Sequence, residues 1–170
     1  MKKNIFFLIL FLFIGFTCFS QKENINKTYP KIVGFISFVH PLVSFDKNAT
    51  TYNFSGSYTV GLPMGINILK SDKIGFSFQL TPFIKAQHDT SKVSSIVFEP
   101  GAMFRFKHSF TIITRLSFET TGRYGLTPVF NKVLAKAKNV SYFAAISVPL
   151  RLGNDKPYSV GFGLQLGLSF

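Results

Sequence analysis

The sequence predicts an all-β fold, a closed antiparallel up-and-down transmembrane β-barrel of eight strands, seven of which are clear. Large apolar residues recur at every second position, which is the period of a β-strand. The alternating segments run to about 11 to 14 residues, whereas the usual strand length is about 5–6. Their other face carries Gly, Ser and Thr with a few charges, which favours a narrow barrel interior over the wet face of a soluble sandwich.

The composition narrows the choice of protein class. The chain has 170 residues, 46% hydrophobic and 15% charged, which fits one ordered domain and argues against disorder. A single Cys excludes an internal disulfide. The mean hydropathy of +0.27 would suit transmembrane helices, but the chain has only one long apolar block, at residues 5–16. Twelve residues fall short of the roughly 20 that span a bilayer.

That block, preceded by Lys2 and Lys3, is typical of a secretory signal peptide. Small residues at Cys18 and Ser20 predict cleavage after Ser20. We therefore divide the chain into a signal peptide, 1–20, and a barrel domain, 21–170. An uncleaved anchor and lipidation of Cys18 are the alternatives.

Seven segments carry the alternation, namely 31–40, 58–68, 74–87, 96–106, 110–122, 140–152 and 158–170. The C-terminus of such barrels lies in the periplasm, so alternating strand directions place an eighth strand at 126–135. A short helix starting at Thr127-Pro128 is the alternative, and an eighth strand would then lie in 41–57 or be missing. Residues 71–73 and 107–109 are predicted to be periplasmic turns, and 41–57 and 88–94 outer loops.

Six charged side chains are predicted to face the lumen: Lys85, Glu99, Arg105, Arg115, Glu119 and Arg151. If 96–106 and 110–122 form a hairpin, Arg115 faces Gly101 close to Glu99, and Glu119 faces Val97 with no charge directly opposite. We expect a structural salt-bridge network that fills the interior, because eight strands leave no channel. A conducting path or proton relay is the alternative.

The whole pattern resembles that of small outer-membrane β-barrel proteins. The Lys-Lys signal, the long strands and the ending from Gly163 to Phe170 carry this resemblance, and the Lys, Asn, Ile and Phe bias is similar to barrels of the Bacteroidota. It implies that Phe170 is the signal read by the barrel-insertion machinery. It also implies a location in the outer membrane of a Gram-negative cell, in contact with its lipids and lipopolysaccharide. It leaves contacts with envelope proteins and the molecular role open.

We expect a non-enzymatic protein with a structural or interaction role through its outer loops, without an open pore, metal or cofactor. A lipid A deacylase-like enzyme using His88-Asp89-Thr90-Ser91 is one alternative, although the His-x-Ser motif of such enzymes is missing at His108-Ser109. An accessory barrel of a secretion or motility apparatus is another.

The net charge is +12, and loss of the signal peptide leaves 17 basic against 7 acidic residues, or +10. In an exported barrel these charges suit lipid phosphates or solvated turns, so we expect no nucleic-acid partner.

Overall fold

The computed structural model describes residues 28–88 and 90–170, so the predicted signal peptide, including Cys18, lies outside the described residues. Within them no helix is long and apolar enough to cross a bilayer. A short 3-10 helix covers Lys107–Ser109. The strands are β1 Lys31–Asp46, β2 Thr50–Tyr52, β3 Tyr58–Gly61, β4 Met64–Leu69, β5 Ile74–Gln87, β6 Thr90–Arg105, β7 Phe110–Glu119, β8 Tyr124–Lys136, β9 Ser141–Ser147, β10 Leu150–Leu152 and β11 Ser159–Ser169.

The strands form one antiparallel sheet that closes on itself. Strands that lie side by side in the sheet run antiparallel, and β1 pairs with β11 from Phe35 opposite Ser169 to Asp46 opposite Ser159. β3 and β4 share one position between β1 and β5, and β9 and β10 share one between β8 and β11. β2 lies beside the end of β1. The predicted closed all-β architecture is therefore confirmed, and its ring has eight positions.

Proline marks the two places where a strand position is interrupted. Pro63 precedes β4 and Pro149 precedes β10, and proline has no N–H to give to a neighbouring strand. Their carbonyls still accept hydrogen bonds, from the Ser37 N–H and the Gly161 N–H, both at 2.8 Å. The ring thus stays closed across both interruptions.

The eighth strand lies where the alternation of directions predicts it. β8 pairs with β7 along Phe110–Phe118 and with β9 along Ser141–Ser147, so a strand at 126–135 is confirmed and the helix alternative is wrong. Pro128 fits within it because its carbonyl still accepts the Val148 N–H, at 2.9 Å.

The two ends of the ring differ in their connections. Residues 70–73, 106–109 and 137–140 are short turns at the end that carries Phe170, which we call the inner end. At the other, outer end, the prediction that 41–57 and 88–94 are loops is wrong. β1 reaches Asp46 and turns into β2, with the Asp46 carboxylate accepting the Asn48 and Ala49 N–H groups at 2.8 and 2.9 Å. β5 and β6 likewise continue to within two residues of each other.

The outward face of the sheet is apolar on all sides. Phe38 on β1, Phe98 on β6 and Leu166 on β11 are each about half exposed, and their inward neighbours in sequence are small or polar. Monomeric soluble proteins rarely expose contiguous apolar patches above a few hundred Å². An apolar outer face with a small, partly polar interior is the arrangement found in barrels surrounded by lipid.

Candidate functional site: the filled lumen

The inner half of the lumen is packed with apolar side chains. Leu69, Met103, Ile113, Val129 and Ala145 form one buried cluster, and Tyr29 and Val33 pack against it. Register explains the cluster, since Met103 lies opposite Ile113 and Ile113 opposite Val129 on three successive strands. We call these five residues the inner apolar cluster.

The outer half of the lumen is polar and is organised around Glu99, which is 4% exposed. Its Oε2 accepts a hydrogen bond from Gln79 Nε2 at 2.6 Å, directly across the β5–β6 pair. Its Oε1 lies 2.7 Å from Ser117 Oγ and 3.0 Å from Thr127 Oγ1. These contacts compensate for the removal of a carboxylate from water. Together with Arg151 and Glu119, these residues are called the outer polar network.

Arg151 joins the two carboxylates of this network. Its Nη2 lies 3.4 Å from Glu99 Oε1, and its Nε donates to Glu119 Oε1 at 2.6 Å. Its Nη1 donates to Thr127 Oγ1 at 2.9 Å. Glu119 lies opposite Val97, as the predicted hairpin register requires, and it finds its cation on β10 instead. One guanidinium therefore serves two carboxylates, of which Glu99 is buried and Glu119 is half-buried.

Arg115 lies opposite Gly101, as predicted, but it stands apart from this network. Its Nη2 and Nε donate to Ser77 Oγ at 3.0 and 3.3 Å, and its guanidinium lies over the Phe35 ring. A Cβ on Gly101 would approach the Thr114 carbonyl oxygen to 2.3 Å and Arg115 Cγ to 2.8 Å, so glycine leaves room for both the backbone of β7 and the arginine stem. Arg115 is 2% exposed and forms no ion pair with a described carboxylate.

The remaining predicted site residues lie away from the network. Arg105 donates to the Ser71 carbonyl at 3.4 Å, at the inner end. Lys85 lies on the outer part of β5, opposite Lys92, and contacts no side chain of the network among the described residues. Phe170 exchanges backbone hydrogen bonds with Gly34 at 2.9 and 3.0 Å and lays its ring against that glycine, at the seam between β11 and β1.

Little space remains inside the lumen. A cavity of about 40 Å³ lies between the outer polar network and the middle of the barrel, and Gln79, Glu99, Arg115, Arg151 and Gln165 are among its lining residues. A water needs about 10–15 Å³ on this measure, so the cavity holds a few waters and no larger ligand.

No family model matches this chain, and no curated protein matches it. A solved structure described as "De novo design of transmembrane beta-barrels" is similar over 86% of this chain and 98% of that chain, with a TM-score of 0.52 and 10% identity. The fold is that of a transmembrane β-barrel. A solution NMR structure of the de novo designed TMB2.3 covers 86% of this chain and 97% of its own, with a TM-score of 0.46 and 12% identity.

The transmembrane barrel keeps its three histidines apart. His40 Nδ1 lies 2.8 Å from the Tyr58 hydroxyl, His88 is exposed where β5 ends, and His108 is exposed in the short 3-10 helix. Asp89 of the His88 sequence lies outside the described residues. The described part of the chain holds no group of three or more His, Cys, Asp or Glu side chains that could bind a metal ion.

Three members of the outer polar network were not singled out from the sequence. Gln79, Ser117 and Thr127 all contact Glu99. The alternation on β5 and β7 placed Gln79 and Ser117 on the lumen face, so the sequence did contain a signal for these two residues. Thr127 could not be assigned to the lumen from the sequence, because its segment also fitted the start of a helix.

Proposed function

We propose that this chain is a non-enzymatic outer-membrane β-barrel of a Gram-negative bacterium, of the kind found in the Bacteroidota, with a structural or interaction role and no open pore. The observation that carries the proposal is the combination of an apolar outer face with a filled lumen. The inner apolar cluster fills one half of the lumen, and in the other half the described residues line a cavity of about 40 Å³. A protein built in this way has its outer surface and its two ends available for function.

Location and export form the first part of this proposal. Membrane fractionation should place the protein in the outer membrane, and the folded barrel should migrate faster on a gel unheated than after boiling. N-terminal sequencing of the purified protein should begin at Gln21. Recovery of the protein from the soluble periplasm would contradict the proposal. A longer N-terminus would contradict only the cleavage site.

The absence of a pore is tested separately. The purified barrel, inserted into planar lipid bilayers, should give no discrete conductance steps, because the inner apolar cluster leaves no hydrated path. An established porin serves as the positive control for insertion. Stable conductance steps that depend on the dose of this protein would favour a conducting path.

Lipid contact is the first partner that we propose. Among the described residues, eight basic side chains and one acidic one lie at the inner end, namely Lys31, Lys70, Lys73, Arg105, Lys107, Lys132, Lys136 and Lys138, with Asp72. Lys132 follows the outward-facing Phe130 by two residues, and its Nζ reaches the His108 carbonyl at the turn, at 2.5 Å. A lysine that rises from an apolar face toward the membrane surface suits lipid phosphates.

The barrel-insertion machinery is the second partner, through Phe170. Replacing Phe170 by Ser should lower the fraction of protein that reaches the heat-modifiable, folded form in cells. Phe106→Ser provides the control, because Phe106 is a similarly exposed aromatic residue at the same end. Equal losses for the two variants would mean that Phe170 acts only as an apolar surface residue.

A further inference from the structure

The β5–β6 hairpin projects beyond the ring at the outer end and has one free edge. We propose that the edge of β6 over Thr90–Val93 accepts, by strand addition, an extended acidic segment of another envelope protein. The inference rests on the proposed outer-membrane location, because the outer end must face other proteins.

Hydrogen-bond partners show that the edge is free. Residues Thr90–Val93 pair with β5 on one side, from Gln87 to Ile84. On the other side β7 ends at Glu119, which lies opposite Val97, and the turn that follows reaches no further than Ile96, whose carbonyl accepts the Thr120 N–H. Beyond Ile96 no described strand pairs with this side of β6. An exposed edge of this kind is a template for another strand.

The charges on the hairpin favour an acidic occupant. Lys85 and Lys92 lie directly opposite each other, and like charges in that position destabilise a strand pair. Neither lysine forms an ion pair with a described carboxylate. A carboxylate on an added strand beside Lys92 would relieve this repulsion. The like-charge pair thus supplies both attraction and selectivity for an acidic segment.

A second copy of this chain is a poor occupant for the same edge. Antiparallel self-pairing of residues Thr90–Val93 would bring Lys92 of one copy near Lys92 of the other, which adds repulsion. The register shift opposite Phe83 and Ile84 leaves Ser94 as a bulge, with its hydroxyl donating to the Phe83 carbonyl at 3.1 Å. A bulge and a central lysine are devices that protect an edge from self-association. The partner is therefore a different chain.

Peptide binding to the full-length barrel, purified in detergent, tests the proposal. The probes are three fluorescein-labelled hexapeptides: one alternating Thr and Val with two Glu, the same peptide with Lys in place of Glu, and the acidic peptide with two central Pro. The acidic peptide should bind at least about tenfold more tightly than the lysine peptide, because it meets Lys92. The proline peptide should bind at least about tenfold more weakly than the acidic peptide, because proline cannot donate the backbone hydrogen bonds that join an added strand to β6.

Charge reversal in the protein gives the matched test. Lys92→Glu should reverse the preference between the acidic and lysine peptides, whereas Lys156→Glu, an equal charge change in the exposed 153–158 turn, should leave it unchanged. Heat-modifiable migration confirms that each variant is folded. Equal binding of the proline peptide, or no binding of the acidic peptide to the folded barrel, would overturn the proposal while leaving the outer-membrane assignment intact. Failure of the fractionation experiment would instead remove the assignment on which the proposal rests.

Discussion

The two halves of the lumen are filled by opposite means. The inner apolar cluster is built from Leu, Met, Ile, Val and Ala side chains contributed by different strands. The outer polar network buries Glu99 and Arg151, leaves Glu119 half-buried and satisfies all three with hydrogen bonds. On β8 the change occurs between two inward residues, Thr127 and Val129, which are two positions apart.

This difference shows that stability has separate sources in one small barrel. Side chains in the inner apolar cluster contribute through volume and contact, so the cost of a change there depends on the cavity that it leaves. Groups in the outer polar network contribute by compensating one another, so the loss of one partner leaves another buried without compensation. Each half should therefore respond to a different class of substitution.

The largest effect is expected for Arg151→Met. This change removes the cation shared by buried Glu99 and half-buried Glu119, and breaking a buried ion pair such as that with Glu99 typically costs about 3–5 kcal/mol. Urea unfolding of the protein refolded into lipid vesicles, followed by heat-modifiable migration, measures the loss. Adding Glu119→Gln to the Arg151→Met variant should recover part of the stability, because one unpaired charge is then removed.

Arg105→Met is the matched control for that substitution. Among the described residues its guanidinium makes one long hydrogen bond, to the Ser71 carbonyl at 3.4 Å, so the loss should stay below about 1 kcal/mol. Equal losses for the two arginine variants would mean that the shared ion pairs of Arg151 contribute nothing particular to stability.

The second effect tests the inner half. Ile113→Ala should lower the free energy of unfolding by about 2–4 kcal/mol, because Ile113 is 4% exposed and its truncation leaves a cavity among Met103 and Val129. Ile113→Val removes one methylene and should cost about 0.5–1.5 kcal/mol. The same vesicle unfolding assay compares them. If the two variants lost the same small amount of unfolding free energy, the inner apolar cluster would not be tightly packed.

The sequence predicted the faces of the strands better than their contacts across the lumen. On β7 the alternation assigned Arg115, Ser117 and Glu119 to the interior, and the local turn at 107–109 set the register that places Arg115 opposite Gly101. Both depend only on neighbouring residues. The ion pair between Glu119 and Arg151 could not be predicted in this way, because β8 lies between their strands and the contact depends on the tilt and closure of the ring.

The outer end was the least predictable part of the fold. Turn-forming residues such as Asp46 and Asn48 made 41–57 read as one loop, yet Val43 and Phe45 continue β1 through the first part of it. Similarly, the polar composition of 88–94 hid the start of β6 at Thr90. Polar and turn-forming residues near the strand ends weaken the apolar alternation on which the prediction relied.

A third, smaller effect is expected at the boundary between the two halves. Thr127→Val removes a hydroxyl that contacts Glu99 and Arg151, and Val129→Thr places a hydroxyl among apolar side chains. The two changes are nearly isosteric, and each should cost about 1–3 kcal/mol for an unsatisfied buried polar group. The double variant, measured in vesicles, should be at least as unstable as either single one. Tolerance of both substitutions would mean that no sharp boundary exists on β8.

The smallest effect is expected for Lys85→Gln. This variant tests whether the outer polar network includes residues of the β5–β6 hairpin. Lys85 faces Lys92 across the hairpin and contacts no described residue of the network, so the free energy of unfolding should change by less than about 0.5 kcal/mol. The change should favour stability if anything, because it removes a like-charge pair. Glu99→Gln, measured beside it, should be clearly destabilising because Arg151 then loses a buried charge partner. A loss above about 1 kcal/mol for Lys85→Gln would place Lys85 within the network, and the polar half of the lumen would then continue into the hairpin.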